Sequence, residues 1–481
     1  MRKKIRLAQS KDDLHDLGSD DLLSRLSDDI LVSILSYLPL KDAAVTSKLS
    51  RRWRYLWCQR VCIAFEDNEG SGKIRREQDS STLNEWNKYT SFCLAERNNY
   101  INWVNRIIRQ HKSPIIDEFK ICFDLDKNAK GAIRKWIEFA ISKNVQRLEL
   151  DLRQKNGLIS YGWKNYVFPN KIFDRKCGSS SKRPSFNALV RPYATVMEIK
   201  FLKALILKRV DVDDEGLKKI LSNCPVLEHL SIQGSCQLVK AKIDGEGLAL
   251  KKLEIGGCSA RLESIEICDS NIVSLDCWGS NCKRFPISLR LDNLQKLEKI
   301  FIRKCYSLKI INHMFCCLPN LRVLELSLFS TQRAIELLPF PELPKLKKLI
   351  INVEVREDVS LLVFTSLVEA CPNLRRFKIE LQLMSSMRRR KENREERQVA
   401  KKPHQHLEVV EISGYYGMTG HLELATYFIE NGVVLKKLII KPLILASPSA
   451  DGTLEVENGP RYHAQQHLEP RTPVGLELVI L

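Results

Sequence analysis

His404 and His406 form an HxH pair, and Cys58 and Cys62 stand four apart; these are the spacings that could begin a metal site. Neither has a second pair at the distance a zinc finger requires, and the fifteen cysteines include no CxxC. Cys316 and Cys317 are adjacent ahead of LPNLRVLEL, and Cys224 and Cys371 are each followed by Pro, where a small buried residue closes a helix-to-strand turn. All four read as structural. Frames for a nucleophile or a phosphate cradle are missing: the sequence has no GxSxG, HExxH, Walker loop or GxGxxG. Gly234, Gly245, Gly247, Gly256 and Gly257 fall where turns between repeats belong. No catalytic residue, metal or cofactor is expected.

Charge offers one more chemistry. The run MRRRKENREERQVAKKPH, Met387 to His404, could bind nucleic acid or direct nuclear import. Its Glu residues dilute the charge and no aromatic side chain interleaves, so a solvated loop is the expectation and nucleic acid is not an expected partner. Over the whole chain Lys plus Arg exceed Asp plus Glu by 77 − 58 = +19, which bears on solubility and acidic partners rather than fold. Hydrophobic residues make up 44% and mean hydropathy is −0.22, as in soluble globular proteins. No apolar run of about 18 residues suggests a membrane span, and MRKKIRLAQSKDD has no secretory core. Reduced cysteines and a cytoplasmic or nuclear setting follow as expectations.

The elements that position side chains repeat along the chain. Apolar-x-x-apolar-x-apolar reads VQRLEL at Val145, LKALIL at Leu202, LEHLSI at Leu227, LKKLEI at Leu250, IVSLDC at Ile272 and LEKIFI at Leu297. It continues as LRVLEL at Leu321, LKKLII at Leu346, LRRFKI at Leu374, LEVVEI at Leu407 and LKKLII at Leu435. From Leu202 the intervals are 25, 23, 22, 25, 24, 25, 28, 33 and 28 residues, the range of leucine-rich repeats. The last two apolar positions lie on one face of a short strand, which is buried only by stacking on neighbouring rungs. An α/β repeat solenoid, a horseshoe arc of ten or so rungs, is the predicted fold class. LESIEI at Leu262 breaks the period and is read as a short, helix-free rung.

Before the repeats lies LSDDILVSILSYLPLKDAAVTSKLSRRWRYLW. Ser27 is placed to cap a helix with Asp28 and Asp29 in its first turn; Leu26, Ile30, Ile34, Leu35 and Leu38 form a stripe, and Pro39 stops it. A second helix is predicted from about Lys41 to Thr46. Ser50 is placed to cap a third, with Trp53, Leu56 and Trp57 on one face and Arg51, Arg52 and Arg54 on the other. Three short helices this apolar either pack on the next domain or present themselves to a partner groove.

This segment resembles an F-box, and its wording is similar to that of plant F-box proteins with leucine-rich repeats. His406 to Ile440, HLEVVEISGYYGMTGHLELATYFIENGVVLKKLII, resembles the FBD region that closes many of them. The resemblance implies a non-catalytic substrate receptor of a Skp–cullin–F-box ubiquitin ligase. Its F-box would dock on a Skp-type adaptor, and through it a cullin, while the repeats capture a protein substrate. Carried over by position, the adaptor-facing residues would be Leu26, Ile30, Leu31, Ile34, Leu35, Leu38, Pro39, Asp42, Val45, Leu49, Trp53, Leu56 and Trp57.

The expected organisation is a disordered leader (1–20), an F-box (21–65), and a linker with a helical region (66–144). The solenoid follows (145–404, with the basic insertion at about 387–404), then FBD-like terminal repeats (405–442) and an irregular tail (443–481). The alternative is a basic repeat scaffold that binds nucleic acid or acidic proteins without ligase coupling.

Overall fold

The computed structural model describes residues 22–67, 70, 72–74, 86–153, 164–172, 199–245, 247–258, 261–279, 288–305, 318, 320–328, 342–355, 360–383, 403–443, 446–448, 454–456 and 459–481. The leader, almost all of the basic insertion, and Cys316 and Cys317 lie outside the described residues.

Fourteen strands form one parallel sheet in chain order, from Cys62–Glu66 to Glu477–Ile480. At roughly 4.8 Å per strand the sheet is about 60 Å long. All eleven motifs named above, from Val145 to Leu435, lead into strands of it, among them Ala204–Lys208, Lys252–Gly256, Lys348–Val355 and Arg376–Leu383. Interior strands bury their two inward residues: Leu205 and Leu207, Leu253 and Ile255, Leu349 and Ile351, and Phe377 and Ile379 are at most 1% exposed. Registers are continuous across neighbours, as in Leu349↔Phe377 and Ile351↔Ile379, so these side chains make one column.

Helices Trp86–Gln110, Lys130–Ser142, Asp214–Asn223 and Thr419–Asn431 cover the inward side of the sheet. Asp213 caps the third through a 2.7 Å bond from the Gly216 N–H, with Asp214 and Glu215 in its first turn. Among the described residues between Gln233 and Lys299, strands take the place of helices. Lys240–Asp244, Ser264–Cys268 and Ser288–Asp292 form a second parallel sheet, interleaved in sequence with four strands of the long one. Leu262 therefore begins the back strand of the rung that starts at Leu250, not a separate rung. A strand crosses the back at about 3.3 Å per residue against 1.5 Å for a helix, which is why the two shortest intervals, 23 and 22 residues, fall here.

Three expectations change, two of them at the ends. The long sheet begins at Cys62 rather than Val145, because Cys62–Glu66 and Glu118–Cys122 pair ahead of Arg147–Asp151. The tail is not irregular: helix Gly459–Leu468 packs under the last rungs with Ala464 and Leu468 fully buried, and Glu477–Ile480 pairs with Lys437–Pro442. Gly256 lies in a strand, not a turn; a Cβ there would sit 2.0 Å from the Trp278 indole, so only Gly lets that ring lie across the neighbouring strand.

The N-terminal module is a helix Asp28–Ser36, a helix Leu40–Val45 and a 3₁₀ helix Trp53–Gln59 that runs into the first strand. Ser27 holds the N-cap position without a side-chain bond, and the third element starts after Arg52 rather than being capped by Ser50. Arg60 pins the module to the sheet: its guanidinium, 4% exposed, donates to the Ser36 carbonyl at 3.1 Å, at the negative end of the first helix. Lys41 reaches Asp67 at 2.9 Å and lies 5.2 Å above the Trp103 ring.

Leu468→Ala should lower stability by about 2–4 kcal/mol, read as a lower urea midpoint. Because each rung supports only its neighbours, amide exchange should quicken in Lys437–Pro442 and stay unchanged in Ala204–Lys208. Equal acceleration in both strands would contradict the sealing role assigned to the tail.

Candidate functional site

The helical spacing in the N-terminal module serves two purposes. Leu31, Leu35, Trp53, Leu56 and Trp57 are at most 8% exposed and form the module's own core with Leu40 and Ala43. The resemblance counts these five among the adaptor-facing residues, and the fold buries them in the module's interior. Leu26 is half-buried. Ile30, Ile34, Leu38, Pro39, Asp42, Val45 and Leu49 stay exposed, with 66% of Leu49 and 56% of Val45 in solvent. Ile30 and Ile34, four residues apart, share one face of the first helix, turned away from Leu31 and Leu35. Tyr37 and Tyr55, missed in the sequence, are also exposed. Arg52 holds the first and third elements together through Asp28 at 2.8 Å and the Leu26 carbonyl.

The outward face of the long sheet carries polar side chains in rows set by the register. A middle row runs Glu149, Ile206, Ser231, Glu254, Asp276, Phe301, Glu325, Ile350, Lys378 and Glu411. Glu254 is braced by Lys252 at 2.5 Å, His229 at 3.4 Å and the Ser231 hydroxyl at 2.8 Å. His229 first, then Lys252 and Ser231, hold its carboxyl well below the usual carboxylate range. One rung on, Asp276 has Arg303 at 3.2 Å on Oδ2 but a buried Oδ1 with no partner. Burial pushes its carboxyl up to about 6 against the pull of Arg303, with Glu254 and Glu325 adding repulsion. Arg303 also reaches Glu325 at 3.4 Å and stands 6.0 Å from the Trp278 and Phe301 rings. The centre of the face is thus acidic and aromatic around one arginine, suited to polar recognition.

The other chemistries resolve as packing. His404 bonds the Tyr427 hydroxyl at 3.0 Å while His406 is exposed, and among the described residues no three His, Cys, Asp or Glu side chains are placed to hold a metal. Cys224 and Cys371 are buried where helices end before strands, and desolvation pushes both thiols up to about 12. Cys58 is buried and Cys62 lies on the first strand, both with raised thiols through desolvation. Among the described residues no helix is long and apolar enough to cross a membrane.

A small helical module sealed on a leucine-rich ladder with a polar sheet face defines a repeat-type protein, a helical module followed by an α/β solenoid. Residues 23–62 match the F-box domain family, and residues 107–447 match the family described as At1g61320/AtMIF1, LRR domain. The chain belongs to the F-box/leucine-rich-repeat family. It is 32% identical over 216 residues to the Arabidopsis thaliana F-box/LRR-repeat protein At5g02700, covering 44% of this chain and 38% of that one. It is 31% identical over 216 residues to the F-box/LRR-repeat protein At3g03360 of the same plant, again 44% and 38%. With the Arabidopsis F-box/FBD/LRR-repeat protein At5g62970 identity is 30% over 217 residues, 44% of this chain and 46% of the relative. The matches therefore span less than half the length of these relatives.

Asp276 gives a pH signature. Its folded carboxyl, at about 6, lies above the usual unfolded value near 3.9, so the folded state holds the extra proton between them. That contribution is fully present below about 4 and is lost as pH rises through about 6. Urea midpoints of Asp276→Asn relative to the wild type should accordingly rise between pH 4 and pH 7. A flat difference would show that Asp276 is not desolvated as described.

Proposed function

We propose that the chain is the substrate-receptor subunit of a Skp–cullin–F-box ubiquitin ligase, with the F-box docking a Skp-type adaptor and the outward sheet face holding a protein substrate. The observation that carries this reading is the set of exposed apolar residues on a module whose core is already complete. Ile30, Ile34, Leu38, Val45 and Leu49 remain in solvent although Leu31, Leu35, Trp53, Leu56 and Trp57 fill the interior and the first rung covers one side. An apolar set on so small a helical unit fits a partner groove read through i, i+4 anchors.

Such a receptor needs no catalytic group of its own. Held at one end by the adaptor and at the other by substrate, the solenoid raises the local concentration of substrate lysines near a ubiquitin-charged enzyme. A rigid column about 60 Å long fixes that distance better than a flexible linker.

The test is capture of purified Skp-type adaptors by the full chain. Ile30→Asp combined with Leu49→Asp should weaken capture roughly hundredfold, from two apolar anchors of about 1.5 kcal/mol each. Val433→Asp, at an exposed position on the other end, should bind as the wild type does. Circular dichroism should be unchanged in both. A wild-type chain that captures no adaptor across a panel, or a double variant that binds normally, rejects the receptor reading.

A further inference from the structure

Along the ends where the strands begin, several neighbouring rungs pair opposite charges, and one place gathers like charges instead. The residues just before each strand are ladder neighbours through their backbone amides, running Glu298, Arg322, Lys347, Arg375, Glu408 and Lys436. At its ends this row alternates: Arg322 pairs with Glu298 at 3.8 Å and Lys436 with Glu408 at 3.9 Å. Two rungs towards the N-terminal end, Lys251 meets Glu228 at 2.9 Å. In the middle of the row the alternation fails. Lys347 and Arg375 are neighbours, and on the strands they precede Lys348 is in register with Arg376.

All four cations are exposed, and none makes an ion pair within 4.0 Å among the described residues. Like charges facing one another across strands destabilise a sheet. A fold that pairs the same positions elsewhere keeps four positive charges together on two rungs, a concentration suited to an anionic partner.

We propose that this cationic ledge, Lys347, Lys348, Arg375 and Arg376 with Arg322 beside it, binds a short acidic segment of a protein lying along the strand ends. The proposal rests on the substrate-receptor reading above and names the substrate class. Dimensions and charge favour a peptide over nucleic acid. From the Arg322 rung to the Arg376 rung is two strand spacings, about 10 Å, the length of three extended residues. Only two residues further along the strands, roughly 7 Å, the ledge's own rungs carry Ile350 and Lys378, and the rungs on either side carry the carboxylates Glu325 and Glu411. A peptide strand fits on the ledge without reaching those carboxylates, whereas a nucleic-acid helix would lie across them. Carboxylates and phosphates share the required chemistry, and guanidinium forks suit both.

The experiment uses the full chain and four fluorescent probes: a twelve-residue peptide with four consecutive Glu, the same frame with two phosphoserines, its Gln counterpart, and a twelve-nucleotide single-stranded RNA. At least one acidic peptide should bind ten times more tightly than the Gln peptide, with affinity falling as salt rises. Lys348→Glu with Arg376→Glu should cost at least tenfold. Lys251→Glu with Lys436→Glu, equal in net charge but outside the ledge, should change binding by less than twofold. Which acidic peptide binds better decides between carboxylate and phosphate as the natural group. Equal losses in the two double variants, tighter binding of the RNA, or no binding of either acidic peptide overturns the proposal. Adaptor capture is measured on the same samples: if it persists while acidic peptides fail, only the ledge is wrong, and if it is absent the receptor reading falls.

Discussion

Every rung of this protein depends on the one beside it. A five-residue strand with two apolar side chains buries nothing alone; in the parallel ladder those side chains sit in register between others like them and become solvent-free. The same dependence makes the two ends a problem, because a terminal strand has a neighbour on one side only. At one end the F-box helices and Arg60 close the column, and at the other the helix Gly459–Leu468 and the strand Glu477–Ile480 do so. The docking module is therefore also a structural cap. Its apolar side chains divide between the interior and the solvent because it serves both purposes.

The interior rungs were legible because Leu-x-x-Leu-x-Leu states the burial of a rung directly. The terminal rungs were not, and the reason is specific. Three residues before the first inward side chain, interior rungs place Val145, Leu202 or Leu435, but the first rung has Arg60 and the last has Gly475. A rung with another rung on one side only does not need leucine there, so the motif loses its first letter at both ends of the described ladder. IDEFKI, leading into Glu118–Cys122, fits the motif yet stands apart from the regular series, with the helices Trp86–Gln110 before it and Lys130–Ser142 after it. The back strands reproduce the same pattern, as in LVKAKI and LESIEI, since a period of two does not say which face of the solenoid a strand covers.

The candidate sites were half legible for a related reason. Helical spacing marks Ile30, Leu31, Ile34 and Leu35 alike as apolar, and only the placement of the third element, with Trp53, Leu56 and Trp57 turned inward, decides which pair it covers. On the sheet face the sequence gives the residues between the leucines, but partners come from the neighbouring rung some 25 residues away. Glu254 and Asp276 are the same kind of group at equivalent positions. One is held ionised by His229 and Lys252, and the other meets Arg303 through one oxygen while its second is buried without a partner, a difference that no local reading contains.

The stretch from Gln233 to Lys299 also sets how the molecule is shaped. Where a helix about 10 Å across stands behind strands 4.8 Å apart, the back of the repeat is wider than the front and the inner and outer circumferences differ. With strands on both sides the two circumferences match, since Lys240–Asp244, Ser264–Cys268 and Ser288–Asp292 step at the same spacing as the strands they back. Trp278 lying over Gly256 locks two of these rungs side by side. This segment is a straight splint set between wedge-shaped units, and lengthening or shortening it by one rung would move the two ends of the molecule apart or together by one strand spacing without changing either end.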